Sequence, residues 1–224
     1  MPGTEGGPNI ITDGLVLYLD AANSRSYPGT GTTWNDLTPN VNIGTLTNGP
    51  SFDSEFNGNI TCDGINDFVS LPNNTATQFP NTSAWSFSIT AKLLSQNTQY
   101  AGIFTKGIAD TNSPGMLLFY SNSGSVTLKQ SSSQPTSVNA SINAAFNYTV
   151  TYNGSTTTRV YLNDTYRNNG PTISSVDTSN TLQLGNGDFY GNVRIYNFVK
   201  YNRLLSDAEI LQNYNAIKTR FGLK

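Results

Sequence analysis

Trp85-Ser86-Phe87-Ser88-Ile89-Thr90-Ala91-Lys92-Leu93 decides the fold. Trp85, Phe87, Ile89, Ala91 and Leu93 occupy every second position, with Ser86, Ser88, Thr90 and Lys92 between them. Side chains alternate across a strand, so this run predicts one apolar and one polar face, and therefore an antiparallel sheet. Phe146, Tyr148, Val150 and Tyr152 repeat the period. Asn153-Gly154 then turns the chain, Arg159 to Leu162 returns it, and Asn163-Asp164 turns it again.

Working outward, similar short runs lie at 15–20, 59–62, 68–71, 102–105, 116–120, 125–129, 181–184 and 193–198. Turn residues recur between them, as they do in a sandwich. The stretches 23–48, 73–81 and 131–145 lack a clear period and read as long polar loops able to carry function. Ser206-Asp207-Ala208-Glu209 forms a capping box, and Ile210, Tyr214, Ile217 and Phe221 follow at helical spacing. A helix is expected over about 207–219, with Lys218 and Arg220 near its C-terminal end and Gly222 to close it.

Composition narrows the chemistry. In 224 residues there are 29 Asn, 28 Thr and 23 Ser but no histidine, which removes imidazole-based catalysis and His metal sites. The single Cys62 rules out an intrachain disulfide and reads as a small buried residue. A net charge of −2 with no basic run gives no electrostatic reason to bind nucleic acid. No segment resembles a signal peptide or a membrane-spanning helix, so no membrane insertion is expected. Half of the basic residues, 6 of 12, lie within 194–224 against only Asp207 and Glu209. That imbalance marks either helix-end charge on a solvated face or a surface for an acidic partner.

Gly14-Leu15-Val16-Leu17-Tyr18-Leu19-Asp20-Ala21, Trp34-Asn35-Asp36-Leu37 and Asp63-Gly64-Ile65-Asn66-Asp67-Phe68-Val69 belong together. With them go Gly191-Asn192-Val193-Arg194-Ile195-Tyr196-Asn197 and then Leu204-Leu205-Ser206-Asp207-Ala208-Glu209-Ile210. In this order and spacing they resemble laminin G-like domains of the concanavalin A-like lectin/glucanase superfamily, over about 14–216. The resemblance implies an all-β jelly-roll sandwich of two antiparallel sheets with a C-terminal helix beside it. Residues 1–13 are then an N-terminal arm, and 14–224 form a single domain.

Stand-alone copies rich in Asn, Thr and Gly resemble those of phage virion proteins. The expected role is accordingly a non-enzymatic head or tail decoration protein at the virion surface, assembled in the host cytoplasm and in contact with glycans. The alternative is a carbohydrate-binding adhesion or receptor-recognition module of an extracellular or cell-surface protein. Virion partners would meet the Gly/Pro-rich residues 1–8 or the basic C-terminal segment.

Three groups of side chains are candidates for sites. Hydrolytic relatives carry Glu-x-Asp-x-(x)-Glu on one strand, so that period 2 aims the carboxylates into one cleft. Here Glu5 lies in the arm, Glu55 in a turn-rich segment and Glu209 in a helix cap, so no enzyme is expected. Asp63, Asn66 and Asp67 place two carboxylates and an amide within five residues, a donor set suited to calcium, with Asp20 and Asp188 as distant contributors. The same residues also read as an Asx turn, and no cofactor is required. Tyr27, Tyr100, Tyr190 and Tyr201 are candidate sugar-stacking residues, whereas Trp34 and Trp85 read as core.

Overall fold

A computed structural model describes residues 9–95, 100–107, 115–130, 133, 135–173, 179–187 and 189–224. Among these residues, two antiparallel sheets of eight strands each face one another. The first sheet contains β1 (Leu15–Asp20), β4 (Ser51–Asp53), β5 (Asn59–Asp63), β7 (Ala84–Ser95), β12 (Ala145–Asn153), β13 (Thr158–Leu162), β14 (Thr165–Asn169) and β16 (Asn192–Tyr201). The second contains β2 (Thr33–Trp34), β3 (Gly44–Thr47), β6 (Phe68–Leu71), β8 (Tyr100–Gly107), β9 (Gly115–Ser121), β10 (Ser125–Gln130), β11 (Thr136–Asn139) and β15 (Leu182–Leu184). In the first sheet the order is β14-β13-β12-β7-β16-β5-β4, with β1 also on β16; in the second it is β11-β10-β9-β8-β15-β6-β3-β2. This is the expected jelly-roll sandwich. Helix α1 (Asp207–Ile217) follows β16.

The alternating apolar residues meet between the sheets. Phe87, Ile89, Val150, Val193 and Ile195 are fully buried there, with Phe79, Phe104 and Phe198 packed edge-on and stacked around Phe87. Trp34 and Trp85 are core, as expected, and Cys62 is buried, which pushes its thiol pKa up.

One expectation about β7 needs correction. Its polar face is not solvated: Ser86, Ser88 and Thr90 are all buried. β7 lies mid-sheet, and the outer surface there is covered by α1 and the segment leading into it. The buried hydroxyls are consequently paired. Ser86 Oγ donates to the Arg203 carbonyl and accepts from the Leu205 N–H, while the Asn147 amide donates to Ser88 and Thr90. A polar alternation therefore marks this strand without marking solvent.

The helix begins as the capping box requires. Glu209 accepts the Ser206 N–H at 2.8 Å, and Ser206 Oγ accepts the Glu209 N–H at 3.4 Å. Ile210, Tyr214 and Ile217 are buried against Tyr196, Val199, Tyr201 and Leu205. The helix ends at Ile217 rather than 219, and Arg220 turns back to the buried carboxylate of Asp20 at 2.6 Å.

Two of the presumed loops contain strands. Residues 23–48 hold β2 and β3, and 131–145 hold β11. These strands, at or next to the edges of the second sheet, are two to four residues long, too short for a period to show. The Trp34-Asn35-Asp36-Leu37 motif has a structural task. The Asp36 carboxylate accepts from the N–H groups of Tyr18, Thr38 and Asn42, the Thr38 hydroxyl and the Asn42 amide, tying this segment to β1.

Candidate functional site

Helix α1 packs on the outer face of the first sheet, while on the outer face of the second Gln183 and Phe119 are half-buried and Thr105, Leu117 and Thr127 buried. Register defines that face. One row runs Thr45, Ser70, Gln183, Thr105, Leu117 and Lys129 across adjacent strands. Phe68 and Phe119 sit one step along on β6 and β9, because Val69, Leu71, Leu118 and Tyr120 point into the core.

Residues 185–187 and 189–191 cross this face. The Gly185 N–H donates to the Ile103 carbonyl and the Gly102 N–H to the Phe189 carbonyl, at 2.8 and 2.9 Å. The backbones approach so closely at Gly102 that an added Cβ would lie 2.2 Å from the Phe189 carbonyl oxygen. At Gly187 it would lie 2.3 Å from Leu117 Cδ1. Only glycine fits this crossing. The clamp sets two aromatic groups on the face: Tyr100 with Phe119 and Phe189, centroids 5.1 and 5.3 Å away, and Tyr190 stacked on Phe68. Phe189 and Tyr190 remain exposed.

Beside Tyr190 lies a pocket of about 290 Å³ lined by Thr105, Gly107, Asn180, Thr181, Gln183 and Asn186. Its polar groups hold one another. The Asn186 amide donates to Gln183 Oε1 at 2.8 Å and accepts the Gly187 N–H at 2.7 Å, while Thr105 Oγ1 donates to the Gly107 carbonyl. The result is an aromatic ring beside oriented amides and hydroxyls, a combination suited to a polyhydroxylated ligand.

Of the four tyrosines expected to stack sugars, the structure brings two to this face. Tyr190 is exposed at the pocket and Tyr100 is half-buried in the neighbouring cluster. Tyr27 and Tyr201 are corrected. Tyr27 is buried against Phe52 with its hydroxyl on the Gly31 carbonyl. Tyr201 lies fully buried beneath α1, its hydroxyl donating to the Ile11 carbonyl and accepting from Asn213. Gln183, Asn186, Phe119 and Phe189 were missed. The even period of β9 could have placed Phe119, but the crossing of 185–187 and 189–191 has no local signal.

Asp63 and Asp67 do come together. Asp63 Oδ1 accepts the Ile65 and Asn66 N–H groups, and Asp67 Oδ2 accepts the Asp63 N–H. Burial, then the Asp63 charge, pushes the Asp67 pKa up. This is the hydrogen bonding of an Asx turn, and among the described residues no group of three or more His, Cys, Asp and Glu side chains is placed to hold a metal. Asp20 is not a contributor, since Tyr18 and Arg220 hold it under the helix. Asp188 and the arm residues 1–8 lie outside the described residues.

The other acidic cluster is on β4, the neighbour of β5 in the first sheet. Asp53 and Glu55 stand two residues apart at the end of β4, a pair that the strand-by-strand reading passed over. Arg194 bridges both carboxylates, with Lys92 on Glu55 at 2.8 Å and the Tyr196 hydroxyl on Glu55 at 3.2 Å. Burial works against ionisation of Glu55, but Lys92 and Arg194 outweigh it and keep its pKa low. The basic C-terminal segment is likewise engaged internally. Arg194, Arg203 and Arg220 are in ion pairs, Lys200 is buried over the Phe79 ring, and Lys218 lies over Tyr214. Lys218 and Lys224 are exposed.

No protein-family model and no curated protein sequence matches the chain. Solved structures do. A mutant of Trypanosoma rangeli sialidase displaying trans-sialidase activity matches with TM-score 0.71 and 16% identity, over 99% of this chain and 36% of that one. The botulinum neurotoxin serotype G binding domain matches with TM-score 0.69 and 14% identity, over 89% and 50%. The serotype D ligand binding domain, solved with N-acetylneuraminic acid, matches with TM-score 0.70 and 14% identity, over 91% and 51%. At such identities the likeness establishes the lectin-type sandwich fold. The chain spans about a third to a half of the length of these matched chains.

The matches overturn one expectation. The sequence reading excluded enzymes, yet sialidases are among the chains sharing this fold. A missing Glu-x-Asp-x-(x)-Glu strand speaks only to one arrangement of catalytic carboxylates.

Proposed function

We propose that the chain is a glycan-binding module that reads sugars on the outer face of the second sheet, beside Tyr190. The observation that carries this is the pairing of an exposed ring, Tyr190, with the amide- and hydroxyl-lined pocket at Gln183, Asn186 and Thr181. Aromatic faces pack against the apolar C–H faces of pyranoses, and fixed amides exchange hydrogen bonds with sugar hydroxyls. Support comes from a fold shared with a domain solved with N-acetylneuraminic acid. Titration of immobilised oligosaccharides tests it. Tyr190→Ala is expected to weaken binding at least tenfold with little change in melting temperature, and unchanged binding would refute the site.

The setting we propose for this activity is a virion surface, on the resemblance of the Asn-, Thr- and Gly-rich sequence to laminin G-like phage proteins, with residues 1–8 against a neighbouring subunit. Deleting residues 2–8 should reduce incorporation into particles and leave the melting temperature of the isolated domain nearly unchanged. Normal incorporation would refute that setting.

A further inference from the structure

We infer that a second site, between the lead-in to β1, the turn after β1 and the C-terminal end of α1, takes a small carboxylate carried on an apolar body. It shares no residue with the face around Tyr190. A pocket of about 420 Å³ lies there, within the size range of small-molecule sites. Ile10, Leu15, Leu37 and Ile217 supply its apolar wall, and Arg25 and Arg220 both line it. Among the described residues no acidic side chain does.

The charges around this pocket do not balance. Arg220 donates to the Asp20 carboxylate at 2.6 Å, yet 32% of its side chain stays exposed and its Nε makes no hydrogen bond. Asp20 is not free to serve Arg25 as well. Its side chain is 1% exposed and already accepts from the Tyr18 hydroxyl and the Ala22 N–H. Asp13 pairs with Arg203 at 2.8 Å, and Asp36 accepts the Tyr18, Thr38 and Asn42 N–H groups. Among the described residues the Arg25 guanidinium is left without a partner. The turn that carries it is nonetheless fixed. Asn23 Oδ1 accepts the Arg25 N–H at 3.0 Å, and the Asn23 carbonyl accepts the Ser26 and Tyr27 N–H groups at 2.8 Å.

Two guanidinium groups against one carboxylate leave a single positive charge at the pocket. That matches a carboxylate better than a phosphate monoester, whose charge is about −1.5 to −2 at neutral pH. A guanidinium presents its donors as a planar fork that a carboxylate accepts in pairs, and the apolar wall would take the body of the ligand.

Calorimetric titration of the full chain with phenylacetate and with its uncharged amide, phenylacetamide, tests this. The acid is expected to bind with Kd of about 1 mM or below, and the amide about tenfold more weakly. Arg25→Gln, at an exposed side chain, should abolish that difference with little change in melting temperature, whereas Tyr190→Ala should leave it intact. Equal binding of acid and amide, or a difference that survives Arg25→Gln, would overturn the inference. So would tighter binding of phenyl phosphate, or no binding of the acid at about 10 mM.

Discussion

Replacing Gly102 with alanine probes the clamp that builds the proposed site. The added methyl would meet three backbone atoms: the Phe189 carbonyl oxygen at 2.2 Å, the Gly187 nitrogen at 2.3 Å and the Asn186 carbonyl carbon at 2.6 Å. No side chain can rotate away, so residues 186, 187 and 189 must lift. Ordinary contact begins at 3.4 Å, which from 2.2 Å requires a shift of about 1.2 Å. That shift breaks the 2.9 Å bond from the Gly102 N–H to the Phe189 carbonyl and loosens Gly187 on Leu117. One hydrogen bond is worth about 1 kcal/mol, and relieving an overpacked contact costs about 1–3 kcal/mol. Taking about 2–4 kcal/mol in all, a domain of this size should melt roughly 4–16 °C lower. Phe189, Tyr190 and Asn186 ride on the same segment, so oligosaccharide affinity should fall at least tenfold. Scanning fluorimetry and a binding titration measure the two effects. Melting within about 1 °C of the parent, with unchanged affinity, would refute the clamp.

Other perturbations are expected to act independently. Burial holds the Lys200 ammonium at a pKa of about 8, so between about pH 8 and 10 the unfolded chain binds more protons and stability rises with pH. Lys200→Met should remove that rise and melt higher than the parent at neutral pH; a parallel pH profile would contradict it. Hydrogen bonds from Arg203, then from the Ser206 backbone, hold Glu209 at about 2, so its contribution is present above its ordinary 4.5 and lost as pH falls toward 2. Glu209→Gln should flatten that acid limb, and Ser206→Ala should cost about 1 kcal/mol in denaturant melts. Because Asp63 Oδ1 is already committed to two N–H groups, melting curves with calcium and with chelator should coincide. A gain of about 2.7 kcal/mol at hundredfold excess over Kd, abolished by Asp67→Ala, would make the turn a calcium site.

Long strands with interior positions were legible in sequence, because burial between the two sheets imposes period 2 on Phe87, Ile89 and Val150 whatever covers the far face. The capping box of α1 was equally plain, since it is a local arrangement within four residues. Solvation of the polar face of β7 was misread. Ser86 and Thr90 are as polar as surface residues, and only the later packing of α1 and Leu205 buries them. For the same reason Tyr201 could not be told from Tyr190. Both are tyrosines near the C-terminal end of the chain, and tertiary packing alone decides that one lies under a helix and the other at a pocket. The site itself joins β8, β9 and the segment after β15, residues about 80 positions apart, so no local motif could contain it.

The central claim is the location of the sugar. A crystal structure of the chain soaked with a neutral oligosaccharide tests it most directly. A pyranose ring against Tyr190, with hydroxyls on Gln183 and Asn186, is the expected result. Sugar bound instead at the Asp63–Asp67 turn, or beside α1 on the first sheet, would contradict the account.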